Sequence, residues 1–418
     1  MNQPIRNKLK IFNDPVYGFI NIPDTWVFDF LEHPYFQRLR RIKQLGLTHL
    51  VYPGALHTRF HHALGAMYLM IQAIETLRAK GHDISLQEAR GAILAILLHD
   101  IGHGPFSHAL ENTLVKGVHH EDLSLLFMDK LRPIHPEGIH TAIEIFQNRF
   151  PKKFLHQLVS GQLDMDRLDY LNRDSFFTGV SEGVVSYDRI IKTLNVADDK
   201  LVTDEKGIYS LEKFVIARRL MYWQVYLHKT VICAEKILIT ILKRAKEVAL
   251  QGQELFATPA LKKFLANTFT LDDFKARQQL ADEFALLDDF DVFTSIKVWT
   301  SHPDRILSFL CQRLVSRRLF RIELQKQPFE KEYLDKIHEC TATLFDANEH
   351  MLSYLVLSGH TENNAYDPGV GNIWIMQNNG LVSDMAETSE QLNIRVLSHP
   401  VKKYYICYPK EVWEKLNK

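Results

Sequence analysis

The chain is poor in cysteine, carries no net charge and has no long apolar run, and each shortage closes off a class of function. Cys233, Cys311, Cys340 and Cys407 are its only cysteines in 418 residues, widely separated and without a CxxC pair. That spacing argues against a disulfide framework or a cysteine zinc site, and a reducing cytoplasm is the expected setting. Lysine plus arginine and aspartate plus glutamate both number 50, so the formal net charge is zero. A balanced chain does not bind nucleic acid or an anionic membrane through bulk electrostatics, so phosphate recognition has to come from local arginines. No apolar run approaches the ~20 residues of a membrane span, and the first residues lack the apolar core of a signal peptide. Glycine-rich phosphate loops, dinucleotide signatures, nucleophile elbows and repeats are missing too.

What the chain has in plenty is histidine in one place. Nine of its 20 histidines, namely His57, His61, His62, His82, His99, His103, His108, His119 and His120, fall within 64 residues. An apolar helical run, Ala92 to Leu98, ends at His99 and Asp100, and Gly102 and Gly104 then break the helix. An imidazole and a carboxylate therefore stand together at a helix end, beside a loop bearing His103 and His108. His61 and His62 open another helix, whose apolar stripe runs from Leu64 to Leu77. A third stretch, Ser160 to Val180, sets Asp164, Asp166, Asp169 and Asp174 among apolar and aromatic residues. Carboxylates in such surroundings need a cation or hydrogen bonds. Arg167 and Arg173 account for one or two of them, but not for all.

Along the chain, Lys10 to Pro23 reads as a hairpin and Phe28 to Gly46 as a helix, with Arg38, Arg40, Arg41 and Lys43 mostly on its solvated face. Helices are expected at Leu86 to Leu98, Glu121 to Leu131 and Thr141 to Phe146. A hairpin from Leu194 to Glu212 should turn near Glu205 to Gly207. Long helices resume over Phe214 to Leu250, with more up to Val315. Beyond about Ser316, LFRIELQ, SYLVLSG, NIWIMQNNG and KKYYICYP read as strands around the helix FEKEYLDKIHECTATLF. The expected fold is mainly α: a helical domain over residues 1–316, with an N-terminal hairpin and a second near 194–212, and a small α+β C-terminal appendage over residues 317–418.

The chemistry that such residues serve is metal-assisted hydrolysis. Four ligands are at hand: His62, His99, Asp100 and one aspartate of the 164 to 174 stretch. Two imidazoles with two carboxylates suit manganese, iron, cobalt or zinc, and magnesium if water completes the sphere. A divalent ion with open positions polarises a phosphoryl oxygen and activates water. His103, His108 and His120 would then support the ligands or move protons. Arg59, Arg167 and Arg218 would neutralise phosphate.

At these residues the chain resembles the HD superfamily of metal-dependent phosphohydrolases, and within it the deoxynucleoside triphosphate triphosphohydrolase branch related to the SAM-and-HD-domain enzyme. The similarity rests on NDPVYG, PYFQRLRRIKQLG, YPGA, RFHHALG, HDIGHGPFSH, HHE, DMDRLDYLNRDSFFTG and YLHK, in that order over the first 230 residues or so. The resemblance implies an HD-domain helical fold and one divalent ion (Mg, Mn, Fe, Co, Ni or Zn) on His62, His99, Asp100 and Asp166, with magnesium accompanying the nucleotide. It implies His120 as the catalytic histidine with Glu111 as its carboxylate partner, and His103 and His108 as further active-site histidines. Phosphate contacts fall on Arg59, Arg167, Arg218 and Lys229. Gln44 and Asp174 fall at the sugar 3′-hydroxyl, Tyr170 where it would crowd a 2′-hydroxyl, and Tyr226 near the sugar and base.

The implied activity is hydrolysis of deoxynucleoside triphosphates to deoxynucleoside and triphosphate by a homo-oligomer. The chain also departs from the branch, because Tyr222, Trp223 and Gln224 stand where regulated relatives carry basic residues. That leaves two alternatives, a phosphohydrolase acting on a nucleoside monophosphate or cyclic nucleotide, and a nucleotide sensor without turnover; the complete ligand set argues against the sensor. Lys10, Asn13 and the stretch Glu32 to Arg40 resemble the region where regulated relatives bind an activating nucleotide.

Overall fold

The structure is a computed structural model that describes residues 10–106, 108–111, 113–115, 117–363, 371–389 and 401–417. Its principal elements open with strands β1 (Ile11–Asp14) and β2 (Gly18–Asn21) and helix α1 (Thr25–Glu32). The helical body follows as α2 (Arg59–Ala79), α3 (Leu86–Leu98), α4 (His108–Glu111), α5 (His120–Lys130), α6 (Pro136–Phe146) and α7 (Met165–Thr178). Then come β3 (Leu194–Ala197), β4 (Lys200–Asp204), α8 (Ile208–Met221), α9 (Lys229–Leu250) and α10 (Arg305–Val315). The last part holds β5 (Arg321–Gln325), α11 (Lys331–Phe345), α12 (Glu349–Leu355), β6 (Leu357–Asn363), β7 (Trp374–Met376), β8 (Val382–Asp384), β9 (Val401–Tyr408) and α13 (Lys410–Leu416). The fold is mainly helical with small sheets, and no helix among the described residues is long and apolar enough to cross a membrane.

Local chemistry explains most boundaries. Ser85 and Glu88 cap α3 reciprocally, Ser85 N–H to Glu88 Oε2 at 2.7 Å and Glu88 N–H to Ser85 Oγ at 3.2 Å. Asp164 caps α7 by accepting from Arg167 N–H at 2.7 Å, and Gly179 closes the helix at φ 74°, where glycine is the favoured residue. The larger of two apolar cores among the described residues takes in residues from Ile20 to Cys407, and α2 lies within it between α3 and α7.

Four expectations are corrected. The helix from Phe28 to Gly46 is broken: His33, which precedes Pro34, is extended (φ −64°, ψ 138°), and Arg38–Arg41 form a 3-10 turn. The piece after that turn is tied to the start of α2, Gln44 N–H donating to His57 O at 3.0 Å and Arg59 N–H to Ile42 O at 2.9 Å. The hairpin of β3 and β4 turns at Asp198 and Asp199, both with positive φ (49° and 59°), while Glu205–Gly207 are a helical turn. Ser353 to Leu355 belong to α12, capped by Asn348, and the strand begins at Leu357. The long helix from Phe214 is interrupted by a π-helical turn at Tyr222–Tyr226 and by extended His228 before α9 starts.

Two small sheets complete the chain. β9 lies between β5 and β6, antiparallel to both. β7 runs parallel to β4 and antiparallel to β8, so this later stretch extends the sheet that β3 and β4 begin.

Candidate metal centre and active site

Three helices bring the candidate ligands together. α2 starts with Thr58 N–H donating to His61 Nδ1 at 3.2 Å, so His61 serves the helix start, while the fully buried His62 faces inward. α3 ends at Leu98 and leaves His99 and Asp100 at its edge. On α7, residues three or four apart share a face, and Asp166, Asp169, Tyr170, Arg173 and Asp174 follow that spacing.

His62 Nδ1 lies 2.7 Å from Asp169 Oδ2, and His99 Nδ1 donates to the Ile96 carbonyl at 2.6 Å. Those bonds commit one nitrogen of each ring and turn Nε2 inward, where neither Nε2 has a hydrogen-bond partner. Buried polar atoms left this way are costly unless something else satisfies them. His62 Nε2 is 3.2 Å from Asp166 Oδ1 and 3.9 Å from Asp100 Oδ2; His99 Nε2 is 3.7 Å from Asp166 Oδ1 and 3.3 Å from Asp100 Oδ1. Metal bonds of ~2.0–2.2 Å hold neighbouring ligands roughly 3.0–3.6 Å apart, so His62, His99 and Asp166 fit one divalent ion with only slight inward movement, while Asp100 presents a different oxygen to each imidazole and also groups with His103 and His120.

Electrostatics favour a cation at the same point. Burial alone would lower the pKa of His62, but Asp166 and Asp169 outweigh it and hold it at about 10. Burial pushes the Asp166 carboxyl up, and His62 and His99 overcome that and hold it well below the usual range. Asp100 is also held low against burial by His99, His103 and Arg59.

A second group lies on the other side of Asp100. His103 Nε2 is 3.3 Å from Asp100 Oδ1, and the His103 ring stacks on His120 with centroids 3.8 Å apart and planes at 15°. His120 Nδ1 pairs with Glu111 Oε1 at 3.1 Å. Burial and the Arg59 guanidinium push His103 down to about 3, so it is neutral near pH 7. The side chain of His108 lies outside the described residues.

The loop carrying these groups is fastened from both sides. The fully buried Arg38 donates from Nη2 to the carbonyls of Ile101 and His103, both at 2.8 Å. This corrects the solvated reading for Arg38, while Arg40 and Arg41 are exposed as expected. On the far side Ser124 Oγ accepts from Gly102 N–H at 2.9 Å and donates to His99 O at 2.7 Å. A Cβ on Gly102 would sit 2.1 Å from His120 O, which only glycine avoids.

Beside the centre is a cavity of about 380 Å³, whose lining includes Gln44, Arg59, Phe106, Tyr222 and Tyr226. Arg59 Nη1 is 2.5 Å from Asp100 Oδ2, which places a guanidinium between cavity and centre. The Tyr226 hydroxyl donates to Asp174 Oδ2 at 2.8 Å, and His57 Nε2 lies 2.7 Å from Asp174 Oδ1. Tyr170 meets Tyr226 edge-on at 6.1 Å. Three expected phosphate contacts are placed less directly. Arg167 pairs with Asp164, and Arg218 Nη1 donates to Gln162 Oε1 at 2.9 Å. Lys229 is exposed in a different groove, with Arg321, Tyr333, Lys336 and Trp413.

The HD domain family matches residues 59–174, a span that contains His62, His99, Asp100 and Asp166, and the HD associated region matches residues 185–264. The crystal structure of a phosphohydrolase from Bacteroides thetaiotaomicron superposes with a TM-score of 0.92 at 51% identity, covering 96% of this chain and 100% of that one. The chain belongs to the HD-domain phosphohydrolase family. Another relative, the uncharacterized protein YwfO of Bacillus subtilis, is 32% identical over 394 residues, 91% of this chain and 88% of that protein. The deoxynucleoside triphosphate triphosphohydrolase SAMHD1 homolog of Dictyostelium discoideum is 33% identical over 243 residues, 54% of this HD-domain chain and 47% of that protein.

Sequence reasoning missed the residues behind the ligands. Asp169 was visible in the acidic stretch, but nothing local marks it as the partner of His62. In the sequence Arg173 is only a neighbour for those aspartates, and Asp14 only falls within the expected N-terminal hairpin.

Proposed function

We propose that this phosphohydrolase hydrolyses deoxynucleoside triphosphates to the deoxynucleoside and triphosphate, with one divalent ion on His62, His99, Asp100 and Asp166. The observation that carries the reading is the pair of Nε2 atoms on His62 and His99 without hydrogen-bond partners, converging with Asp166 and close to Asp100, near a cavity that Arg59, Gln44 and Tyr226 line. A bound ion (Mg, Mn, Fe, Co, Ni or Zn) would polarise a phosphoryl oxygen and lower the pKa of its water. Arg59 turns from Asp100 to the phosphate chain, where a forked guanidinium neutralises charge. His120, with Nδ1 on Glu111, delivers a proton to the leaving 5′-oxygen from Nε2. Asp174, fixed by His57 and Tyr226, accepts from the sugar 3′-hydroxyl together with Gln44, and Tyr170 crowds a 2′-hydroxyl.

Chromatography of each deoxynucleoside triphosphate after incubation with the protein and Mg²⁺ or Mn²⁺, with and without a second nucleotide as activator, tests the reading. Deoxynucleoside plus intact triphosphate, absent with Asp166→Ala, is the expected result. Turnover of monophosphates alone would refute the triphosphate assignment. A size measurement in the same buffers tests the expected homo-oligomer.

A further inference from the structure

Behind His62, on its Nδ1 side, lies a chain of charged groups that the chemistry above does not use. Arg173 brackets Asp169 with two bonds, Nε to Oδ2 and Nη2 to Oδ1, both 2.9 Å. Its third nitrogen, Nη1, donates to Asp14 Oδ2 at 2.7 Å. The other oxygen of Asp14 accepts from Val16 N–H at 2.9 Å and Tyr17 N–H at 3.0 Å, so one carboxylate both builds the β1–β2 turn and holds the arginine. His62, Asp169 and Arg173 are fully buried and Asp14 is 6% exposed, which leaves water little part in the network.

Two features show that this arrangement is built rather than incidental. Two carboxylates against one guanidinium favour positive charge on the His62 ring or, when that ring is a neutral ligand, on a cation bound to it. The position for that cation is across the His62 ring, where Nε2 faces Asp166 and Asp100. Space is also reserved: a Cβ on Gly65 would lie 1.9 Å from Asp169 Oδ1 and 2.2 Å from Arg173 Nη2. Glycine weakens a helix interior, and here, in the middle of α2, it lets two charged side chains pass against the backbone.

We propose that Asp169, Arg173 and Asp14 are positioning residues for the metal, which lock the His62 ring with Nε2 aimed at the ion and make metal affinity depend on the N-terminal hairpin being seated. The proposal rests on His62 being a ligand, and it adds a regulatory consequence: an event that lifts the β1–β2 turn loosens the ion without touching any of its ligands.

The test measures Mn²⁺ affinity by competition with a chromogenic chelator, in the full chain and in Asp169→Asn, Asp14→Asn and Gly65→Ala, with circular dichroism and melting as fold controls. Asp14→Asn keeps a side-chain carbonyl for the turn and removes only the charge facing Arg173. Partners behind a metal ligand are typically worth ~10–100-fold in affinity; Asp169→Asn and Gly65→Ala should fall in that range and Asp14→Asn near its lower end. Asp14→Asn keeps the test decisive if the other two variants fail to fold. Folded variants that bind Mn²⁺ as tightly as the parent would overturn the proposal while leaving the substrate assignment standing. A parent that binds Mn²⁺, weakens as expected in the variants and yet turns over no deoxynucleotide would support the proposal and refute the substrate. A parent that binds no metal would overturn both.

Discussion

Two histidine pairs flank Asp100, and they are built in opposite ways. His62 and His99 stand edge to face at 73°, each with Nδ1 committed to a buried acceptor and Nε2 left without a partner. His103 and His120 lie face to face at 15°, with His103 Nε2 3.3 Å from Asp100 Oδ1, His120 Nδ1 paired with the partly exposed Glu111 and His120 Nε2 3.3 Å from Glu121 Oε1. The residue type is the same in all four. What differs is the group behind each ring, which on the proposed assignment prepares the first pair to bind an ion and the second to pass a proton.

Substitutions can break this contrast. The largest effect is expected from the first pair's partners: Asp166→Ala or His99→Ala should remove the bound metal and reduce turnover on the order of 10³-fold or more, read by elemental analysis and product formation. Chelator treatment of the parent should reproduce that loss, and added Mn²⁺ should reverse it. In the second pair, His120→Gln should cost on the order of 10²–10³-fold in kcat while the metal content stays at the parental value. If His120→Gln also emptied the site, the division of labour between the pairs would fail. Tyr170→Ala should relax the preference for deoxyribose by about 10-fold, measured as the ratio of kcat/KM for deoxynucleotide and ribonucleotide. The smallest effect is structural: Arg38→Met leaves the carbonyls of Ile101 and His103 without their donor, a loss of about 2–4 kcal/mol that should lower Tm and leave metal stoichiometry unchanged.

The ligands and the backing network were not equally legible. His62, His99 and Asp100 stand out because metal chemistry demands particular residue types and the crowding of histidine and aspartate in apolar surroundings shows in one dimension, whereas Asp166 is singled out from its acidic stretch only by the family resemblance. The backing network does not stand out, because Asp14 and Arg173 are 159 positions apart and each looks ordinary in its own segment. Arg38 was misplaced for a related reason. Helical periodicity put it off the apolar stripe, but the helix breaks at His33, and the 3-10 turn that follows the short helix Pro34–Gln37 points Arg38 into the interior instead. At the β3–β4 turn the signal was present and was outweighed. Asp198 and Asp199 tolerate positive φ and make a two-residue hairpin turn, whereas Lys206 and Gly207 only resembled one. Lys229 illustrates the limit of carrying a role across by motif, since the groove it lines is not the cavity beside the candidate ligands.

The measurement that tests the central claim most directly is anomalous diffraction from crystals of the protein grown with Mn²⁺. One peak within bonding distance of His62 Nε2, His99 Nε2, Asp100 and Asp166, with Asp169 still on His62 Nδ1, is the predicted result. A peak among Asp100, His103 and His120 instead, or no peak in a protein that retains activity, would contradict it.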